Sequence, residues 1–305
     1  MIDLAEILNK SYSFTKNHKF LWFFGFFLTG WGTLNFIRHV DLNPSALYLK
    51  FSYFGASVGD RPVILILTLI GSVLLIFGMT MLGAIARSVI IYTGLHVERK
   101  EVVTANLALK HTQKALWRVF WVGVLTGLTM FATLSWLSLP LYLVFRNAGA
   151  QTSSIFLALI ALAIFVPVII ILSLVNIFSA CYIVIYDFKV LPAIKGSFDL
   201  LAGFWEKTMS LFTILFVVYV ALFFFSATIL GLFGFLAYGL SLLFKNLPAS
   251  SLSGILLLII SLFSFLLIFV NAVLNVFTNF AWTLFFLKIV KAKLIKESEA
   301  VPTIA

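Results

Sequence analysis

Runs of apolar residues longer than a bilayer requires dominate this sequence. The stretches from Pro62 to about Gly94, Ser154 to Asp187, Met209 to Phe244 and 249–289 each exceed 30 residues with few charges. At about 1.5 Å per helical residue, a run of that length outreaches a hydrocarbon core of roughly 30 Å. Tilt, kinks or projection into water must absorb the excess. No water-soluble core accommodates such runs in one chain of 305 residues, of which 62% are hydrophobic and 10% charged, with a mean hydropathy of +1.13. Most of this surface must face lipid or other membrane helices.

Two shorter runs complete the set, one from Phe20 to Ile37 and one from Trp117 to about residue 145. The first follows Lys10, Lys16 and Lys19 and has no small-x-small cleavage pattern, so a retained span is expected rather than a secretory signal. Pro140 and Pro167 are candidate kinks in the third and fourth spans. The expected spans are therefore about 20–37, 62–94, 117–145, 154–187, 209–244 and 249–289, in a single integral membrane domain covering 1–305. A long polar connection, 38–61, joins the first two. A very short one, Lys245-Asn246-Leu247-Pro248, joins the last two. The tail from Val290 is charged and is expected to be ordered only near the membrane.

Three polar connections are patterned. Asp3 followed by Glu6 reads as a capping box, with Leu4, Ile7, Leu8 and Tyr12 close to one face. Over 98–116, Val102, Ala105, Leu109 and Leu116 share one side, opposite Asn106, Lys110 and Gln113. Over 192–205, Ile194, Phe198, Leu201 and Trp205 recur at helical spacing behind a first-turn Pro192. Segments 3–16, 98–116 and 192–205 are thus expected as amphipathic helices on the membrane surface. Of the Lys and Arg residues, 15 lie in the N-terminus, the 95–118 and 187–208 connections and the tail counted from Lys288, against 5 on the other side, which places both termini in the cytoplasm. The net charge of +10 follows from the same bias, with anionic headgroups as its partner, and nucleic acid is not implied.

The chain also repeats itself. Leu174-Val175-Asn176-Ile177-Phe178-Ser179 matches Val273-Leu274-Asn275-Val276-Phe277-Thr278 at a displacement of 99 residues, which also carries Lys189 onto Lys288. A displacement of 88 brings Ala193 onto Ala105 and Trp205 onto Trp117, and one of 89 brings Asn176 onto Arg87. Each copy reads as an inward-going span, a cytoplasmic amphipathic helix and an outward-going span. The expected fold is an all-α membrane protein with six transmembrane helices in three pseudo-repeated pairs, the third pair split between the two ends of the chain.

The stretches LNKSYSFTKNHKFLWFFGFF and YDFKVLPAIKGSFDLLAGFW carry a small-residue/aromatic pair followed by Gly-aromatic-Trp or a similar run. In this they resemble the membrane domain that accompanies glycerophosphodiester phosphodiesterases, and related multi-pass prokaryotic membrane families. Nothing in the chain matches that enzyme's acidic and histidine catalytic cluster. The resemblance therefore implies a lipid- or envelope-associated membrane domain and carries no activity.

Polar residues inside the spans are the candidate site. Asn271, Asn275 and Asn279 fall on one face of the last span, where they either join helices or line a polar pathway. Arg87 costs at least about 2.5 kcal/mol at a central depth unless it snorkels, and with Asn176 and Asn275 it is expected to approach one axis if the repeat holds. Trp22, Trp117 and Trp205 stand where interfacial anchors belong. Lys110, Lys114, Arg118 and Lys195 are candidate headgroup contacts, and membrane lipids, anionic ones among them, are the expected partners. Gly123 and Gly127 form GxxxG, a candidate close contact between helices. His18, His39, His96 and His111 lack ligand spacing, Cys181 is alone, and no P-loop, GxSxG or HExxH is present, so neither metal, cofactor nor enzymatic chemistry is expected. Three functions remain open: a non-enzymatic scaffold with an envelope or lipid role, a transporter or channel with a polar cavity, and, more weakly supported, a lipid-modifying enzyme.

Overall fold

The computed structural model describes residues 2–28, 62–101, 103–148, 152–243 and 249–299. These residues are helical throughout, apart from short turns: α1 (Leu4–Asn17), α2 (Leu21–Leu28), α3 (Pro62–Glu98), α4 (Ala105–Ala148), α5 (Thr152–Tyr186), α6 (Val190–Gly203), α7 (Trp205–Leu243) and α8 (Ala249–Glu299). Among the described residues, five stretches are long and apolar enough to cross a membrane: Ile70–Glu98, Ala105–Ser138, Leu159–Tyr186, Trp205–Ile229 and Phe265–Ile295. The first expected span is described only as far as Leu28. Its remainder, the 38–61 connection and the 245–248 connection lie outside the described residues.

Two compact units divide these helices. The first gathers Met1–Lys10, Phe77–Phe204 and Asn279–Ala305, and the second gathers Ser11–Ile76 and Trp205–Thr278. In the first unit α4 packs on α5 and α5 on α6. Its core includes Ile90 and Ile91 of α3, Leu174 and Phe178 of α5, and Phe285 and Phe286 of α8, each at most 2% exposed. Phe178 meets Trp282 and Phe286 at ring-centroid distances of 5.9 and 6.0 Å, and Tyr182 meets Phe286 edge-on at 4.8 Å. In a bilayer such contacts stabilise through close packing and hydrogen bonding, because lipid tails are as apolar as the core.

In the second unit α2 lies against α8. A β-carbon added to Gly25 would sit 2.1 Å from the carbonyl oxygen of Ala272, so the two backbones touch where no side chain fits. By contrast, Gly123 and Gly127 have nothing within 4 Å of such a carbon, and the GxxxG of α4 makes no close contact among the described residues.

The helix ends follow from local chemistry. Asp3 caps α1, its Oδ1 accepting from the amides of Ala5 at 2.9 Å and Glu6 at 3.3 Å. Pro192 lies in the first turn of α6, where its missing N–H is no loss. α3 and α5 stop at residues in the left-handed region, Lys100 (φ 63°) and Asp187 (φ 59°). At Lys100 the amides of Glu101 and Lys100 return to His96 O and Val97 O, both at 2.9 Å, in a Schellman pattern. α4 and α5 run on past Pro140 and Pro167.

Three expected boundaries change. The 98–116 segment is not a helix of its own: α3 ends at Glu98, and α4 starts at Ala105 and continues into the span. Nothing between Leu116 and Trp117 stops a helix, so the surface turns and the span fuse. The buried stripe of that segment is Ala108, Thr112 and Ala115 rather than the larger Leu109, which is 37% exposed. α6, in turn, ends at Gly203, and a single residue, Phe204, separates it from α7. It buries Ala193, Ser197, Leu200 and Leu201 and turns Phe198 outward. Finally, α8 continues through Lys291 and Lys293 to Glu299, well beyond the expected end of the last span.

Candidate functional site

The C-terminal half of α3 carries small residues that let other helices approach. Ala84 and Ala86 are buried, and Ser88 Oγ is occupied with the Ala84 carbonyl at 2.8 Å. At Gly94 a β-carbon would stand 2.7 Å from Phe280 Cδ2 and 3.6 Å from Thr283 Cγ2, so α8 crosses α3 there. Cys181 of α5 meets the Thr283 hydroxyl, which itself donates to Asn279 O at 2.8 Å. α3, α5 and α8 therefore converge within the first unit.

Arg87 stands at this convergence, near the Cys181 thiol. The residue as a whole is partly covered, but its Nε is sealed from solvent and has no acceptor among the described residues. Thr93 Oγ1 and Asn176 Oδ1 share this state. A buried polar atom left unsatisfied costs about 1–3 kcal/mol, and a charged one more. A thiol in apolar surroundings stays neutral and offers no counter-charge.

Most described carboxylates of the first unit are occupied elsewhere. Glu98 accepts from Lys10 Nζ at 2.9 Å, and Glu6 pairs with Lys10 at 3.2 Å and with Lys288. Lys288, and then Lys10, hold the Glu6 carboxyl below its ordinary value, while the bond to Glu98 raises the Lys10 ammonium. Glu101 lies 3.6 Å from His96 Nε2. Arg118 grips the end of α5: one Nη donates to Asp187 O at 2.8 Å and Phe188 O at 3.0 Å, and the other pairs with the Asp187 carboxylate. Asp3 is the cap of α1 and Asp199 is exposed on α6.

The expected site residues thus separate into groups. Arg87 and Asn176 belong to the first unit and keep orphaned atoms. Asn275 lies in the second, where its Oδ1 accepts from Tyr219 Oη at 3.1 Å, and Tyr219 also reaches Thr278 at 3.3 Å. Asn271 Nδ2 donates to Leu267 O of its own helix at 3.0 Å. Asn279 belongs to the first unit. Trp22 is a packing residue, its Nε1 donating to Thr15 O at 2.9 Å and its ring meeting Phe269 at 5.5 Å. Trp117 and Trp205 are 50% and 43% exposed, as anchors would be. Lys110, Lys114 and Lys195 are exposed. Arg118 is committed to α5 and makes its contacts within the chain.

Tyr219 and the pairing of Glu6 with Lys288 are the contacts that sequence reasoning missed. A lone tyrosine in an apolar run and the i,i+4 spacing of Glu6 and Lys10 were the available signals. Among the described residues no three His, Cys, Asp or Glu side chains come together to hold a metal. No family model, curated protein or solved structure matches the chain.

Proposed function

We propose that this chain is a non-enzymatic, lipid-associated scaffold of a cytoplasmic-type membrane, with both termini on the cytoplasmic side. The observation that carries this reading is the use made of the α8 amides. Asn275 bonds across to Tyr219 of α7 and so joins two helices, and Asn271 returns its amide to a carbonyl of its own helix, uses that need no polar path. The resemblance of the LNKSYSF and GSFDLLAGFW stretches to a lipid-associated membrane domain points the same way.

A threefold repeat is part of the proposal. Ile7/Ser11/Phe14, Ala108/Thr112/Ala115 and Ala193/Ser197/Leu200 are buried at the same i, i+4, i+7 spacing, each with a hydroxyl in the middle. Thr112 and Ser197 return their hydroxyls to the carbonyls of Ala108 and Ala193 at 2.9 and 2.7 Å. The left-handed residues Lys100 and Asp187 precede the second and third sets. This register relates α4 to α6 by 85 residues, three fewer than the alignment of Trp117 with Trp205.

Transport is the rival reading, and the orphaned atoms of Arg87, Thr93 and Asn176 are what favour it. The two are separated by reconstituting the protein into vesicles and labelling N275C, in a C181S background, with a water-soluble thiol reagent. The scaffold leaves Asn275→Cys unreactive and the vesicles as tight as protein-free ones. Labelling together with solute flux that N275A abolishes would replace the scaffold by a transporter.

A further inference from the structure

The geometry points to a phosphoryl-binding site at Arg87, filled by the phosphate of an anionic membrane lipid; this rests on the lipid-associated reading and names its ligand. An arginine cannot shed its proton in a protein, so burial leaves its charge in place. Arg87 lies inside an apolar stretch, Ile70–Glu98, where a cation requires a partner. Its Nε points at no acceptor, and its titratable neighbour is a thiol. The described carboxylates of the same unit are paired with Lys10, Lys288, His96 and Arg118, cap α1, or stand exposed on α6. No counter-ion for Arg87 is found among the described side chains, which favours an anion from outside the chain.

The chemistry of that anion follows from the donors. A guanidinium offers a planar fork that matches two oxygens of a phosphate. Arg87 lies in a membrane-length apolar stretch, Ile70–Glu98, where the phosphate of a lipid is a better match than a fully hydrated ion. Arg87 as a whole is only partly covered, so the residue is not closed off on every side.

The test uses the full-length protein equilibrated in mixed micelles of phosphatidylglycerol and phosphatidylcholine, followed by native mass spectrometry of the retained lipid. Wild type should enrich phosphatidylglycerol. R87Q should lose that preference by about tenfold to a hundredfold, the range one charge-assisted pair supports. R87K should keep part of it, since it preserves the charge and loses the fork. A wild type with neither a phosphatidylglycerol preference nor a thermal shift with inorganic phosphate overturns the proposal whether or not R87Q folds. Equal enrichment by wild type and R87Q removes the site at Arg87 and leaves the lipid-associated reading standing. Lipid retained by neither protein removes both. In a second arm, inorganic phosphate is added to delipidated protein. A thermal shift in wild type absent from R87Q, without phosphatidylglycerol enrichment, supports the phosphoryl site and assigns it to soluble phosphate.

Discussion

Gly25→Ala is the sharpest test of the helix contact in the second unit. The new methyl carbon would lie 2.1 Å from Ala272 O, 2.8 Å from Val276 Cγ2 and 2.9 Å from Ala272 C. Ordinary contact begins near 3.4 Å, so α2 and α8 must separate by about 1.3 Å locally. Two of the three obstructing atoms are backbone atoms of α8, so a rotamer change cannot relieve the overlap. Overpacking of this kind costs typically 1–3 kcal/mol, and the upper part of that range applies where backbone has to move. Separation also weakens the Trp22–Phe269 contact, made one turn away in the same helix pair at 5.5 Å. The measurement is thermal unfolding in a fixed detergent, with G127A as the matched control, since nothing lies within 4 Å of a β-carbon there. At about 2–4 °C per kcal/mol, G25A should melt several degrees below wild type, whereas G127A should match or slightly exceed it. Equal melting of G25A and G127A would refute the close approach.

Three further outcomes follow from the same coordinates. Because Lys288 and Lys10 depress the Glu6 carboxyl, its contribution to stability is present above the ordinary carboxylate value of 4.5 and is lost as pH falls through the depressed one. Wild type should therefore lose melting temperature on acidification below about pH 4.5 more steeply than E6Q, measured side by side. R118A should cost about 1–2 kcal/mol and speed amide exchange around Asp187–Lys189, and R118K should not restore it, because a lysine cannot serve two carbonyls and a carboxylate in that plane. K100G should stabilise by about 0.5–1 kcal/mol in an equilibrium denaturation series, since Lys100 holds a left-handed conformation that glycine adopts without a side-chain clash.

The helical membrane architecture was legible because run length and charge placement decide it. Pro62 opens α3 as expected, and α5 ends within a residue of Asp187. Inward faces were harder to read. In water a large apolar residue marks the buried side of a helix, but in lipid both sides are apolar and the signal inverts. Leu109 and Phe198, read as the inner stripe, are 37% and 43% exposed, while Ala108, Ala193 and Ser197 are buried. Small residues with a hydroxyl at the i+4 position are the better guide here, because they let helices approach and return their own polar group to the preceding carbonyl. Gly123 and Gly127 had the recognised spacing without a neighbour, and the glycine that a neighbour requires, Gly25, stood among phenylalanines with no pattern to mark it.

Arg87 was legible as a costly residue, but its isolation was not, because isolation is a property of where every carboxylate goes. The chain has 11 acidic residues against 21 basic ones, so cations must outnumber their partners somewhere. A surplus at the surface is met by water and headgroups at little cost. In the first unit four carboxylates serve the chain's own ties: Asp3 and Asp187 at helix termini, Glu6 and Glu98 in the ties of α1 to α3 and α8. Those ties hold Lys10, Lys288 and Arg118, whose long side chains could have reached water unaided. The cation least able to do so, Arg87, is the one whose Nε has no acceptor among the described residues. Such a distribution makes sense when the helix ends must be closed by the chain itself and the charge at Arg87 is neutralised by something the membrane supplies.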